Sequence, residues 1–456
     1  MSRDADLLRD ARHVITGERE TGQHNVTYAI YVAVIAAASY GVPAAQAFFR
    51  FLDPRWLAAH LAGYRGIVLA GALLLATVAF AFRAGRVRGP VVPDLPYLDH
   101  VATSPLDRAV VLRRWWRVAL LGCLVGGVLI GLVSGAGLAI AALAGAVVLG
   151  PGVAAGALVG LLVAGAWLHG QVRAWPVHTR GPALLLRPGG SLRALHLSGL
   201  RTQSARSVTV GGAVLAGDLR AARLDIAAPI TRGRAIRLRA RGPVSTLVWR
   251  DWLGLRRAPC RGLSGLVLTV AGVYGLVHTA TPGTPSLITV VSLVVAWFGV
   301  GAWSEGLRLH GDNAGTPPLL GLSPMAEARA HLVVPGVLSV LTVCGVGLTA
   351  ALSTRGSPLG LVWALLLLGL LLAGQVMAAY RGLPPIGVFS PRAGMPAMVA
   401  WQSVPLVVPV VCGTAATAAL TSRQPVNGLL VLAFTTWLAA LYARRRARLL
   451  FDAHRG

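Results

Sequence analysis

The sequence predicts an all-α fold: a polytopic membrane helical bundle of about ten transmembrane helices, with cytoplasmic amphipathic helices beside it. Three observations carry this. Hydrophobic residues make up 55% of the 456 and charged residues only 13%, where a soluble domain carries roughly 25% charged residues. Mean hydropathy is +0.67. Uncharged runs recur at the ~20-residue length that crosses a hydrocarbon core, and the positive charge lies between them. A soluble enzyme is thereby excluded.

The spans follow in chain order. The first 25 residues are polar and contain Asp4, Asp6, Asp10, Glu18 and Glu20, a composition wrong for a signal peptide. Apolar runs then cover 27–48, 62–82, 263–280, 286–304, 332–352, 358–380, 396–420 and 427–443. The uncharged stretch 118–169 is long enough for two long helices or three short ones. Arginine placement decides for two. All 42 basic residues are arginine, and with two crossings 37 of them fall in segments on one side: 1–25, 83–117, 170–262, 305–331, 381–395 and 444–456. Arginines retained on the cytoplasmic face set topology, so the expectation is a cell-membrane protein of ten spans with both termini cytoplasmic. A broken or re-entrant piece is expected near Gly150-Pro151-Gly152. The formal charge of +26 is read as this topological bias and not as nucleic-acid binding. The lysine-free, Gly- and Ala-rich composition resembles that imposed by GC-rich genomes such as those of actinobacteria.

Two places echo each other. Thr103-Ser104-Pro105-Leu106-Asp107-Arg108-Ala109 precedes one span, and Leu322-Ser323-Pro324-Met325-Ala326-Glu327-Ala328-Arg329 precedes another. Tyr40-Gly41 pairs with Tyr274-Gly275, and Ala164-Gly165 with Ala373-Gly374. Each Ser-Pro pair suits a helix start: serine caps, proline fits the first position, and a following acid favours the positive end of the dipole. A duplication with four spans in the first half and six in the second accounts for the pattern.

Several chemistries lack their residues. No acid lies inside a span, which argues against ion-coupled transport. Neither clustered carboxylates for Mg²⁺ nor an H-E-x-x-H zinc motif is present. Cys123, Cys260, Cys344 and Cys412 form no C-x-x-C pair. Walker A needs a lysine at the phosphates, and the chain has none. Neither a disulfide nor a metal site is expected, and any ATP-driven work would need an ATPase on another polypeptide.

The segment 170–262 carries seventeen arginines. Around 206–226 arginine and apolar positions alternate at helical spacing, which suits helices lying on anionic membrane lipids. It ends in Trp249-Arg250-Asp251-Trp252-Leu253-Gly254-Leu255-Arg256-Arg257-Ala258-Pro259, an amphipathic elbow at the interface. Asp6-Leu7-Leu8-Arg9-Asp10-Ala11-Arg12 suits the same part before the first span.

That elbow, followed by two spans and a charged loop with a Ser-Pro start, resembles the permease subunits of ABC-2 type exporters, in a duplicated form. Their elbow often reads W-R-D-x-L-x-x-x-R-R-x-P, as residues 249–259 do. Leu95-Pro96 with Ser104-Pro105, and Pro317-Pro318 with Ser323-Pro324, resemble their L-P-x-S-P loop more loosely. The resemblance implies a first permease-like half at 1–169, the arginine-rich segment with the elbow at 170–262, and a second half at 263–456. It also implies a separate ABC ATPase subunit docking on loops 83–117 and 305–331. The coupling candidates are Ser104, Asp107, Arg108, Arg113, Arg114, Ser323, Glu327 and Arg329, with Trp249, Arg250, Asp251, Arg256 and Arg257 as the elbow. Assembly as a homodimer or a heteromeric permease is compatible with this reading. A non-transport membrane scaffold, and a membrane enzyme acting on lipid-linked substrates, are the alternatives.

Overall fold

The computed structural model describes residues 63–140, 145–174, 188–215, 242–281, 284–314, 316, 320–352, 358–382 and 394–452, with Leu7, Tyr31, Ile35 and Leu238. The expected span 27–48, the stretch 6–12 and the arginine-rich residues 216–226 lie outside these, apart from Leu7, Tyr31 and Ile35. Among the described residues the protein is all-helical, and nine helices are long and apolar enough to cross a membrane. It is a multi-pass membrane helical bundle. The chain divides into two compact units, 1–227 and 228–456.

In the first unit α1 (Tyr64–Val87) is followed by the short α2 (Leu95–His100), then α3 (Arg108–Ile140) and α4 (Leu149–Val172). So 118–169 supplies two helices, as arginine placement predicts. Gly150-Pro151-Gly152 is not a re-entrant break; it lies in the first turn of α4, where proline's missing N–H is one the helix leaves unpaired anyway. Glycines decide the pairing of α3 with α4. A Cβ on Gly127 would lie 2.2 Å from the Gly156 carbonyl oxygen, and one on Gly131 2.1 Å from that of Gly152. Lipid supplies no hydrophobic drive between helices, so close backbone approach over small residues supplies contact instead. Two helices that are not candidate spans follow, α5 (Pro188–Arg193), which is too short, and α6 (Leu197–Leu215), which is long enough but not apolar enough.

The second unit begins with α7 (Pro243–Arg257), then α8 (Pro259–Thr279), α9 (Ser286–Trp303), the short α10 (Glu305–Asp312), α11 (Pro324–Leu352), α12 (Pro358–Ala379), α13 (Gly394–Thr421) and α14 (Pro425–Asp452). α12 is at its centre: 56% of its apolar stretch is buried, against 6% for α1. Trp363, Leu367, Leu368 and Leu371 of α12 pack with Val273 and Leu276 of α8 and with Leu293 and Trp297 of α9. The Trp363 indole N–H donates to the Thr417 hydroxyl at 3.0 Å, which satisfies a donor that hydrocarbon would leave unpaired.

The two units share a local plan of span, short helix, long span and span. In both, the last span closes on a buried glutamine that reaches back to earlier backbone. Gln171 Nε2 donates to the Val91 carbonyl at 2.7 Å, and Gln375 Nε2 to that of Trp297 at 3.2 Å. These sit in Gly170-Gln171-Val172 and Gly374-Gln375-Val376. By this shared glutamine, Gly170 of the first unit corresponds to Gly374 of the second.

Candidate functional site: a buried clamp beneath the elbow

The elbow is a true helix break. α7 carries Leu247 and Leu253 on its buried side and leaves Trp252 exposed. It stops at Ala258 (φ −121, ψ 66), and α8 begins on Pro259. Proline cannot donate into the helix before it and drives its predecessor out of the α region, so the chain turns there. Arg256 and Arg257 occupy the last turn of α7, where cations suit the negative end of the dipole.

One turn earlier, Asp251 enters the interior. Its side chain is only 5% exposed and that of His331, on α11, 0%. His331 Nδ1 lies 2.6 Å from Asp251 Oδ2, and Arg250 Nη2 lies 3.1 Å from His331 Nε2. A guanidinium only donates and a carboxylate only accepts. The partners therefore assign His331 as neutral imidazole, with its proton on Nδ1 toward Asp251 and its Nε2 lone pair toward Arg250. The approach needs Gly306 on α10, because a Cβ there would stand 2.0 Å from Asp251 Oδ1.

A second histidine extends the clamp. The rings of His310 and His331 lie 5.6 Å apart. His310 Nδ1 is 2.8 Å from Glu327 Oε2, and its Nε2 donates to the Pro324 carbonyl at 3.1 Å. The Tyr380 hydroxyl donates to the same carbonyl at 3.0 Å. Burial lowers the affinity of His310 for a second proton, and the Glu327 charge restores part of it. Both ring nitrogens face acceptors, so imidazole and carboxylate hold one proton between them. Burial also holds the Tyr380 phenol well above its ordinary value, with Glu327 adding to the effect. Beside this network lies a cavity of about 430 Å³, bordered by Thr246, Arg250, His310, Asn313 and Glu327.

The sequence residues thus fall into separate groups. Arg250, Asp251 and Glu327 come together, joined by two histidines that the sequence reading did not single out. Ser323 caps α11 as expected, accepting from the Ala326 N–H at 3.3 Å, with Pro324 in the first turn. Arg329 is exposed and borders a different cavity with Arg444 and Arg448. Trp249 lies half-buried in α7, and its indole nitrogen has no hydrogen-bond partner among the described residues.

In the first unit the cap differs from expectation. Ser104 does not start α3; its hydroxyl donates to the Val101 carbonyl at 2.6 Å, closing the turn after α2. Asp107 is the cap, accepting from the Ala109 N–H at 3.0 Å, and α3 begins at Arg108. Arg193 of α5 holds Asp107 at 2.7 Å, and Arg108 donates to the Leu195 carbonyl at 2.8 Å. The Arg193 hydrogen bond lowers the Asp107 carboxyl to about 2. These two coupling candidates are therefore engaged within the chain. Arg113 and Arg114 lie exposed along α3.

The missed residues had partial signals. Gly-Gln-Val occurs in both halves, and His310 and His331 flank the second Ser-Pro pair. Nothing in their spacing reveals that α10 and α11 fold back to stack them. No family model matches this chain, and no curated protein or solved structure is found similar to it.

Proposed function

We propose that the chain is the membrane-spanning permease subunit of an exporter powered by a separate ATP-hydrolysing subunit. The supporting observation is the clamp that ties the elbow to the polar helix α10 and to the first turn of α11. Asp251, His331, His310 and Glu327 belong to three different helices, and their two polar pairs, Asp251 with His331 and His310 with Glu327, are joined by packing of the two imidazole rings. A displacement imposed on loop 305–331 would be carried to α7, and through the break at Ala258 to α8. Packed interfaces move as units because they are not continuously deformable. On this reading both termini and the arginine-rich segments face the cytoplasm, where the ATPase binds. Asp107, Arg108, Arg193 and the backbone of Leu195 form the corresponding joint of the first unit.

The test is purification of the tagged chain from its native membranes in mild detergent. A stoichiometric partner carrying a Walker A lysine should accompany it. His331→Ala should retain that partner but lose stimulation of its ATP turnover by the permease. ATP hydrolysis by the pure chain, or isolation with no ATP-hydrolysing partner, would overturn the reading.

A further inference from the structure

A second cavity, of about 810 Å³, opens between α11, α12 and α14. Each helix lines it with one complete stripe. α11 contributes Met325, Ala328, Arg329 and Leu332, and α12 contributes Gly369, Leu372, Ala373 and Val376. α14 contributes Trp437, Ala440, Leu441, Arg444 and Arg448. The spacings are those of one helix face. The wall is therefore graded, apolar through Leu372 and Leu441 and cationic at the end where Arg329, Arg444 and Arg448 stand. Among the described residues no carboxylate borders the cavity. None of the three arginines makes a hydrogen bond or ion pair among the described residues. The room comes from small side chains: a Cβ on Gly369 would meet nothing within 4 Å.

Length and charge together say what fits. From Trp437 to Arg448 the groove runs about 16 Å at a rise of roughly 1.5 Å per residue, about half of a ~30 Å hydrocarbon core. That is one leaflet. We propose that this cavity is a binding site for an anionic phospholipid, its phosphate held by Arg329, Arg444 and Arg448 and an acyl chain laid along Leu372, Trp437 and Leu441. Arginine suits a phosphate because its planar fork donates two parallel hydrogen bonds. The site rests on the chain being a membrane bundle and does not depend on the exporter proposal.

The purified chain, without any ATPase, is titrated in detergent with phosphatidylglycerol and with phosphatidylcholine of the same acyl chains, and retained lipid is read by native mass spectrometry. Inorganic phosphate is the third arm. Phosphatidylglycerol should be retained and should raise the melting temperature, with phosphatidylcholine and phosphate doing neither. Replacing Arg329, Arg444 and Arg448 together by Gln should weaken retention about a hundredfold, each arginine near an anionic surface being worth roughly a factor of five. Gly369→Leu with Ala373→Leu keeps all three arginines but fills the groove, and should also release the lipid. As a charge control, Arg113, Arg114 and Arg117 on α3 changed together to Gln should leave retention intact. Equal retention of phosphatidylcholine, the same stabilisation by phosphate alone, or undiminished phosphatidylglycerol binding by either cavity variant would overturn the site. A loss in the α3 control as large as in the cavity variant would reduce it to bulk charge and overturn it too.

Discussion

Asp251→Leu tests the clamp most directly. The substitution removes the acceptor of a 2.6 Å bond to a histidine whose side chain is 0% exposed. A hydrogen bond to a charged group contributes about 1.5–3 kcal/mol, and leaving its buried donor unpaired costs about 1–3 kcal/mol more. A loss of roughly 3–5 kcal/mol is expected, the size seen when one partner of a buried pair is removed. His331→Leu should lose a similar amount, because it strands the Asp251 carboxylate. The double variant is the discriminating measurement. Replacing both partners by apolar groups of similar size is close to neutral, so it should be at least ~2 kcal/mol more stable than the sum of the single losses predicts. Unfolding in mixed detergent micelles, followed by tryptophan fluorescence with Trp249 and Trp252 in the elbow, supplies the four free energies. Losses that add within about 0.5 kcal/mol, as they do at independent sites, would refute the argument that these groups form one unit.

Three further outcomes are expected. Gly306→Ala, whose added Cβ would stand 2.0 Å from Asp251 Oδ1, should destabilise the elbow by about 1–3 kcal/mol as an overpacked contact, measured by the same unfolding assay. Gly156→Leu should force α3 and α4 apart, since even a Cβ there would lie 2.2 Å from the Gly127 carbonyl oxygen; disulfide trapping between cysteines placed on the two helices should fall sharply, and unchanged trapping would contradict the packing. Asp107 has its folded pKa depressed from 3.8 to about 2. Its contribution is therefore present above pH 4 and lost as pH falls toward 2. Its partner Arg193 is 64% exposed, and solvent screening limits the contribution to about 1 kcal/mol or less. The stability difference between Asp107→Asn and the parent should shrink across that window, and a difference undiminished at pH 2 would show that the ion pair is not its source.

Composition and periodicity settled the membrane class, because a bilayer demands long apolar helices and relegates charge to their ends. The same logic resolved 118–169 into two helices from arginines that lie outside it. The elbow was legible because tryptophans and arginines on one helix, followed by proline, state both an interfacial face and a break. Ser323 was legible as a cap, since capping is a local matter of three or four residues. Ser104 looked identical in sequence and proved different. Asp107, three residues further on, caps α3 and is itself held by Arg193, 86 residues further along the chain, and pattern cannot report a partner at that distance. The histidine clamp was hidden for the same reason. His310 and His331 are polar residues in unremarkable positions until α10 and α11 fold together and bury them against Asp251 and Glu327. Arg444 and Arg448, which read in sequence as topological markers, and Arg329, which read as a coupling candidate, likewise acquire a shared cavity because α11 and α14 meet beside α12. Local chemistry follows from neighbours in sequence, but burial, proton placement and converging charge follow from neighbours in space, and only the tertiary structure supplies those.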